Sequence, residues 1–445
     1  MTRSLSAIIC TFGFALLGLA QAPIPPKLAP SPDVDKALES FKAGKFDDAY
    51  DQLKKACTSN PQLQPPRVIL AGWFVQAERG KDARSTLERF TVEEPKHPDG
   101  YLLNASFAFG EGRITDAILN CQAALQFSAD PRWSAELRKR FVRESRLGLV
   151  ASFERRGDWA SVQEQLTGLL NDDPKNGQLR QRLATATFQT GKPDEAFAEF
   201  QKAFQDDPAV DPPELRIATL WSAKGERDKT EDWLKKAVAA HGSNPKSHRA
   251  YAGWLLDEVK YDAAQLYIDA AVKLDAKARE TGALQALLLR HKKDYGPAET
   301  AFEQLHKDAP GDPFALGNLA IILVESTDEK KKRRAVELAE SLVKQNNRSA
   351  DAYAVLGYCY FKVGRIDDAD KALGTAASAG QVGLDTAYYL ALVLNEKKKF
   401  TEAYKILEEA VKARGPFVYR SEARVFLAEL AKRLPEKKDE PKKCP

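Results

Sequence analysis

A small side chain returns at a fixed interval along this chain of 445 residues: Ala49, Ala83, Ala117, Val162, Ala196, Thr230, Ala264, Ala298, Ala335, Ala369 and Ala403. Eight of the ten intervals between neighbours are 34 residues, and the exceptions are 45, before Val162, and 37, before Ala335. Twelve residues ahead of most of these stands a second small residue: Ala37, Ala71, Ala105, Val150, Ala184, Ala218, Ala252, Ala286, Gly357 and Ala391. In the unit with the 37-residue interval it is Ala320, which places an insertion of three residues between the two helices of that unit. A single hydrophobic core rarely grows past roughly 250–300 residues. A chain of this length with an in-phase repeat is therefore read as an array of supersecondary units.

Two small residues separated by a turn mark the place where two helices of a hairpin approach closely. Four residues beyond the second small residue comes a larger apolar group, as at Leu53, Leu87, Phe200, Leu234, Ile268, Phe302, Leu373 and Leu407. Three further on there is often another alanine, as at Ala56, Ala203, Ala237, Ala271 and Ala376. Offsets of four and seven lie on one face of a helix. The turns inside the units carry Gly44, Gly112, Gly157, Gly191 or Gly364, where a left-handed cap ends the first helix, and an Asp that follows is read as the cap of the second. Proline after Asn60, Asp173, Asp207, Asn244 or Ala309 separates one hairpin from the next. Gly80 suggests a shortened turn in the second unit, and the bulkier Val150 and Val162 suggest looser packing in the fourth.

Tyr353, Leu356-Gly357, Tyr360, Gly364, Ala369, Leu373 and Ala376 give the best example of a pattern that resembles the tetratricopeptide repeat family, over roughly residues 33–415. The resemblance implies an all-α, right-handed α-solenoid of about eleven antiparallel helix pairs whose concave surface is lined mostly by the first helices. The expected layout is repeats 1–3 over residues 33–130 and an extended or inserted helix over 131–156, with Trp133, Phe141 and Leu147 turned to the core. Repeats 4–11 then occupy 157–418, followed by an amphipathic capping helix over 419–434 and a charged, disordered tail over 435–445.

The sequence holds no catalytic, cofactor-binding or metal-binding constellation. His97, His241, His248, His291 and His306 are scattered over different units, and Cys57, Cys121, Cys359 and Cys444 match no zinc or redox spacing. Gly110-Glu111-Gly112 lies between helices and lacks the third glycine of a dinucleotide site, and Gly191-Lys192 is followed by Pro193. The chain is read as a non-enzyme. Its net charge of +4 on 67 basic and 63 acidic side chains gives no reason to expect nucleic acid.

Protein binding is the function that remains. Mapped through the resemblance, the concave face of the C-terminal units presents Phe314, Ile321, Val324, Tyr358, Phe361, Tyr388 and Leu392, an apolar and aromatic strip suited to a peptide or helix. The other reading is that these residues pack on neighbouring units. Arg138, Lys139, Arg140, Arg143 and Arg146 form a basic stretch in the inserted helix, and Lys330 to Arg334 form another. Trp73, Trp221 and Trp254 are the candidates for stacking on sugars if the scaffold handles polysaccharide instead.

The first residues carry an address. Arg3 precedes an apolar run from Leu5 to Leu19, and Ala20-Gln21-Ala22 offers small residues for cleavage. Residues 1–20 are read as a secretory signal peptide, with an uncleaved anchor as the alternative, and 21–32 as a proline-rich linker. The expected place is the periplasm or the extracellular space, within an envelope or secretion assembly.

Overall fold

The computed structural model describes residues 32–378 and 382–434. The readings of a signal peptide over 1–20, of a linker over 21–32 except Pro32, which opens the first helix, and of a tail over 435–445, Cys444 included, lie outside the described residues.

Among the described residues there are twenty-three helices and no strands. They are α1 (Pro32–Lys42), α2 (Phe46–Ser59), α3 (Pro66–Gln76), α4 (Gly80–Glu93), α5 (Pro98–Gly110), α6 (Ile114–Phe127), α7 (Ala135–Arg156), α8 (Trp159–Asp172), α9 (Gly177–Gln189), α10 (Pro193–Asp206), α11 (Pro213–Ala223) and α12 (Arg227–Ala240). There follow α13 (Pro245–Asp257), α14 (Tyr261–Leu274), α15 (Arg279–His291), α16 (Tyr295–Asp308), α17 (Pro313–Val324), α18 (Glu329–Gln345), α19 (Ala350–Lys362), α20 (Ile366–Ser378), α21 (Leu384–Glu396), α22 (Phe400–Lys412) and α23 (Arg420–Ala431). Apart from α11, inside which the two units divide, each odd-numbered helix up to α21 packs on the even-numbered helix after it. The fold is an all-α solenoid built from such pairs, with α23 following the last. The chain divides into two compact units, described separately below, with the division between Leu220 and Trp221, inside α11.

The periodic small residues do what their spacing implies. All eleven of the second-helix set, from Ala49 to Ala403, are buried, and so are their partners from Ala37 to Ala391. Gly357 shows why size is limited there, since a Cβ would come 2.5 Å from Cγ of Leu373 and 3.2 Å from the carbonyl of Ala369. The larger positions, Leu53, Leu87, Phe200, Leu234, Ile268, Phe302, Leu373 and Leu407, fill the space beside them and are also buried. Val150 and Val162 are buried within one continuous core cluster, so the fourth pair closes around its larger side chains rather than loosening.

The turns are more uniform than their glycines suggest. A left-handed residue stands five positions before the small residue in ten of the eleven second helices: Gly44, Gly112, Gly157, Gly191, Gly225 and Gly364, but also Glu78, Val259, Lys293 and Lys398. The turn of the second pair is therefore not shortened at Gly80, which opens α4 after Glu78 has taken the left-handed role. Val259, a β-branched residue at φ 61°, holds that conformation at a steric disadvantage. The acidic residues after these turns, such as Asp47 and Asp367, lie within the first turn of the second helix, where they complement its dipole. The cap position itself is more often basic, as at Lys45, Arg113 and Lys192; Asp158 and Asp328 cap in the way expected, accepting from the Ser161 and Lys330 amides.

The two insertions are helical. The three extra residues of the ninth pair lengthen α18 at its start, so it begins six residues before Ala335 where other second helices begin three before their small residue. The longer insertion lengthens α7 to 22 residues, capped by Ser134 and ended at Gly157. Phe141 is buried, whereas Trp133 and Leu147 are half-buried. Cys121 and Cys359 are buried free thiols and Cys57 is half-buried.

Candidate binding cradle in the C-terminal unit

First helices in the C-terminal unit bring their inward side chains to one place. Tyr358 of α19 and Tyr389 of α21 stack with ring centroids 3.8 Å apart and planes 17° from parallel. Tyr388, next in sequence to Tyr389, turns to the other side of a third ring, that of Tyr419, and stacks on it at 5.2 Å and 15°. Tyr419 also lies 5.7 Å from Tyr358 and 5.6 Å from Tyr389, so three tyrosines from the repeats surround one from the segment after α22.

Two carboxylates complete the cradle. Glu325, at the end of α17, accepts hydrogen bonds from the Tyr358 hydroxyl, from the Tyr419 hydroxyl at 2.7 Å and from Lys362 Nζ at 2.8 Å. Burial pushes its carboxyl up, but these three donors outweigh burial and hold it below the ordinary value. Asp385 of α21 accepts from Arg290 of α15 at 2.9 Å and from the Val418 amide at 2.9 Å. Burial raises the Asp385 carboxyl, and Arg290 opposes it. Arg290 also donates to Asn318 Oδ1 at 3.2 Å, while its Nε has no hydrogen-bond partner. Burial and the adjacent Arg290 together lower His291 to about 3, so this ring stays neutral against Tyr261.

The predicted strip thus takes a different form. Ile321, Val324 and Tyr358 are buried, and Phe314, Phe361, Tyr388 and Leu392 are half-buried. None of the seven is openly exposed, because α17 packs against α16, α18 and α19, and α19 packs in turn against α21. Phe314 rests 5.6 Å from the Phe302 ring. Tyr388 and Leu392 keep one open side. With Glu422, Val425 and Phe426 they line a cleft of about 520 Å³ between α21 and α23. Sequence reasoning missed Arg290, Glu325, Asp385 and Tyr419. The signal available for them was a charged side chain in or at the end of an otherwise apolar first helix, and a tyrosine just after Gly415-Pro416.

The basic stretch of α7, in the N-terminal unit, is divided. Arg138, Lys139 and Arg143 are exposed. Arg140 instead turns inward to Asp99, a fully buried carboxylate, at 2.9 Å, and Arg146 donates to Gln165 at 3.2 Å. These two therefore cannot serve as free surface cations. Lys331 and Arg334 of α18 are likewise paired, with Glu299 and Glu303. Trp73 and Trp254 are buried in the helix-pair core and offer no open face to a sugar ring; Trp221 is half-buried, with Lys229 over its ring.

Beside Arg140 and Asp99, burial lifts the Glu144 carboxyl from 4.5 to about 7. A folded-state pKa above the unfolded one means that protonation favours folding. The contribution is present at low pH and is lost as the pH rises through that window. Glu144→Gln is expected to raise Tm by about 2–4 °C near pH ~8 and by much less near pH ~5. Thermal melts at the two pH values check this, and an equal shift at both would show that Glu144 does not titrate there.

Helix pairs in one register, joined through small side chains, define a helical repeat protein. The model of the family described as Tetratricopeptide repeat matches residues 360–418, from the end of α19 to the segment beyond α22. Over those residues the chain matches the tetratricopeptide repeat family, and its other helix pairs repeat the same spacing of small residues. Such proteins bind peptides or proteins, typically as non-catalytic scaffolds. A tetratricopeptide repeat protein from Parabacteroides merdae is similar in structure, with 19% identity, 57% of this chain and 99% of the other covered, and a TM-score of 0.41. Yeast Tom70 is similar over 90% of this chain and 95% of its own, with 16% identity and a TM-score of 0.34. A thermophilic protein of the same kind from Thermus thermophilus has 18% identity over 42% of this chain and 99% of its own, with a TM-score of 0.36. No curated protein matches the chain. Among the described residues no helix is long and apolar enough to cross a membrane.

Proposed function

We propose that this chain is an exported scaffold that holds a partner protein or peptide on its C-terminal unit, as part of an envelope or secretion assembly. The observation that carries the binding half of this reading is the cradle of Tyr358, Tyr388 and Tyr389 with Glu325 and Asp385. Aromatic side chains give large contact area, and fixed carboxylates select for donors, which is the chemistry of peptide capture and not of catalysis. The export half rests on the basic start and apolar run of residues 1–20.

Two measurements test it. A photo-crosslinking side chain placed at Leu392, on the open cleft, should capture one reproducible partner in the native cell, and Tyr388→Ala should abolish that capture while the helical content of the protein is retained. Capture that survives Tyr388→Ala would move the binding surface elsewhere, first to Arg138, Lys139 and Arg143. Fractionation of the full chain should find it outside the cytoplasm with an N-terminus near Gln21. A cytoplasmic protein that keeps Met1 would sink the export reading.

A further inference from the structure

The cradle is already filled. The segment that joins α22 to α23 buries three consecutive side chains, Phe417, Val418 and Tyr419, each less than a tenth exposed. The helix that follows buries only Ala423 and Leu430, and its Val425 is 63% exposed. A helix that merely covers the last apolar face would show the reverse, with a buried stripe along the helix and an exposed linker. Here the linker is the anchor and the helix is lightly seated.

The contacts of this anchor are those of a ligand. The Tyr419 ring enters between Tyr388 and the stacked pair Tyr358–Tyr389, and its hydroxyl donates to Glu325 at 2.7 Å. One residue earlier, the Val418 amide donates to Asp385 at 2.9 Å. One residue later, the Arg420 guanidinium folds back on the preceding segment and donates to the carbonyls of Val411, Ala413 and Gly415, each at 2.9 Å. Thus a side-chain hydroxyl and a main-chain amide are both read by half-buried carboxylates. The segment is held in a bent shape by its own arginine and by Gly415 at φ +115°. Buried charges are a poor way to gain stability but a good way to impose specificity. Glu422 Oε2 has no hydrogen-bond partner, and the cleft between Tyr388 and Phe426 stays open beside the anchored ring.

We propose that residues 415–420 are a built-in ligand of a tyrosine-reading groove, and that a partner engages the scaffold by presenting a tyrosine-bearing segment that displaces them. This deepens the scaffold reading and rests on it. The partner segment it fits has a tyrosine for the slot between Tyr358 and Tyr388, a free main-chain amide one residue before it, and no charge in the ring slot. Tethering on a short linker supplies the built-in ligand at an effective concentration on the order of mM, so a free peptide of about micromolar affinity competes at a disadvantage of about a thousandfold.

The test uses the full chain and a fluorescent synthetic peptide with the sequence of residues 413–424. Wild type should bind it weakly or not at all. Tyr419→Ala vacates the slot and should bind the peptide at least about tenfold more tightly than wild type. The same peptide with alanine in place of its tyrosine should not bind, and adding Tyr388→Ala to the vacated protein should remove the gain. Tyr419→Phe keeps the ring and the fold but removes the bond to Glu325. It should show an intermediate gain, so the proposal remains testable if Tyr419→Ala melts the last repeat. No gain in peptide binding by either folded variant would overturn the proposal and leave the segment a structural plug. A gain without any partner captured from the cell would uphold the groove and instead sink the scaffold reading.

Discussion

Asp385→Ala is expected to destabilise the C-terminal unit by about 3–5 kcal/mol, the usual result of removing one member of a buried ion pair. The effect arises from what is left behind. Arg290 is held between α15 and α21 with side-chain exposure of 12%, and without Asp385 its remaining side-chain partner is Asn318, on which it donates at 3.2 Å. The Val418 amide loses its acceptor at the same time, so the segment under Tyr419 should loosen together with α21. Arg290→Met in the Asp385→Ala background removes the stranded charge and should restore most of the loss. Urea unfolding of the single and double variants measures both effects. Additive losses in the double variant would mean that the two residues act separately and that the pair is not the unit of stability.

Phe302→Ala is the second large effect, also about 3–5 kcal/mol. Phe302 is fully buried in α16, and its ring meets Phe314 of the next pair at 5.6 Å. The void therefore opens at a junction between pairs rather than inside one. In a repeat array each pair is stabilised mainly by its neighbours. Amide exchange should quicken first in α15 to α18 and much less in α21 and α22. A uniform rise through the whole C-terminal unit would instead show a single cooperative core.

How much of this was legible follows from what periodicity can carry. Ala49, Ala196 or Ala369 repeats the same contact in every pair, so the spacing displayed the helix pairs, their close-approach points and the buried face that includes Leu53 and Phe302. Backbone geometry was half legible. Glycine announced the left-handed turn at Gly44 and Gly364, but Glu78, Val259, Lys293 and Lys398 adopt the same conformation because the two flanking helices impose it. The site was least legible. Tyr358 and Tyr388 were identified as inward-facing residues, yet what they hold, Tyr419, lies outside the repeat. Its partner Glu325 stands 94 residues away in sequence. No period links such a pair, and only the stacking of the helices brings it together.

The matched small residues have a consequence for how the chain can change length. The two helices of each pair meet through the same two narrow points, so 34-residue stretches from the regular part repeat one internal design. Such stretches are cassettes of one design, told apart only by the side chains that bridge neighbouring pairs, such as Phe302 against Phe314. The long α7 and the extended α18 are out of step with this and cannot be exchanged. They act as bookmarks in an otherwise uniform text, one in each compact unit.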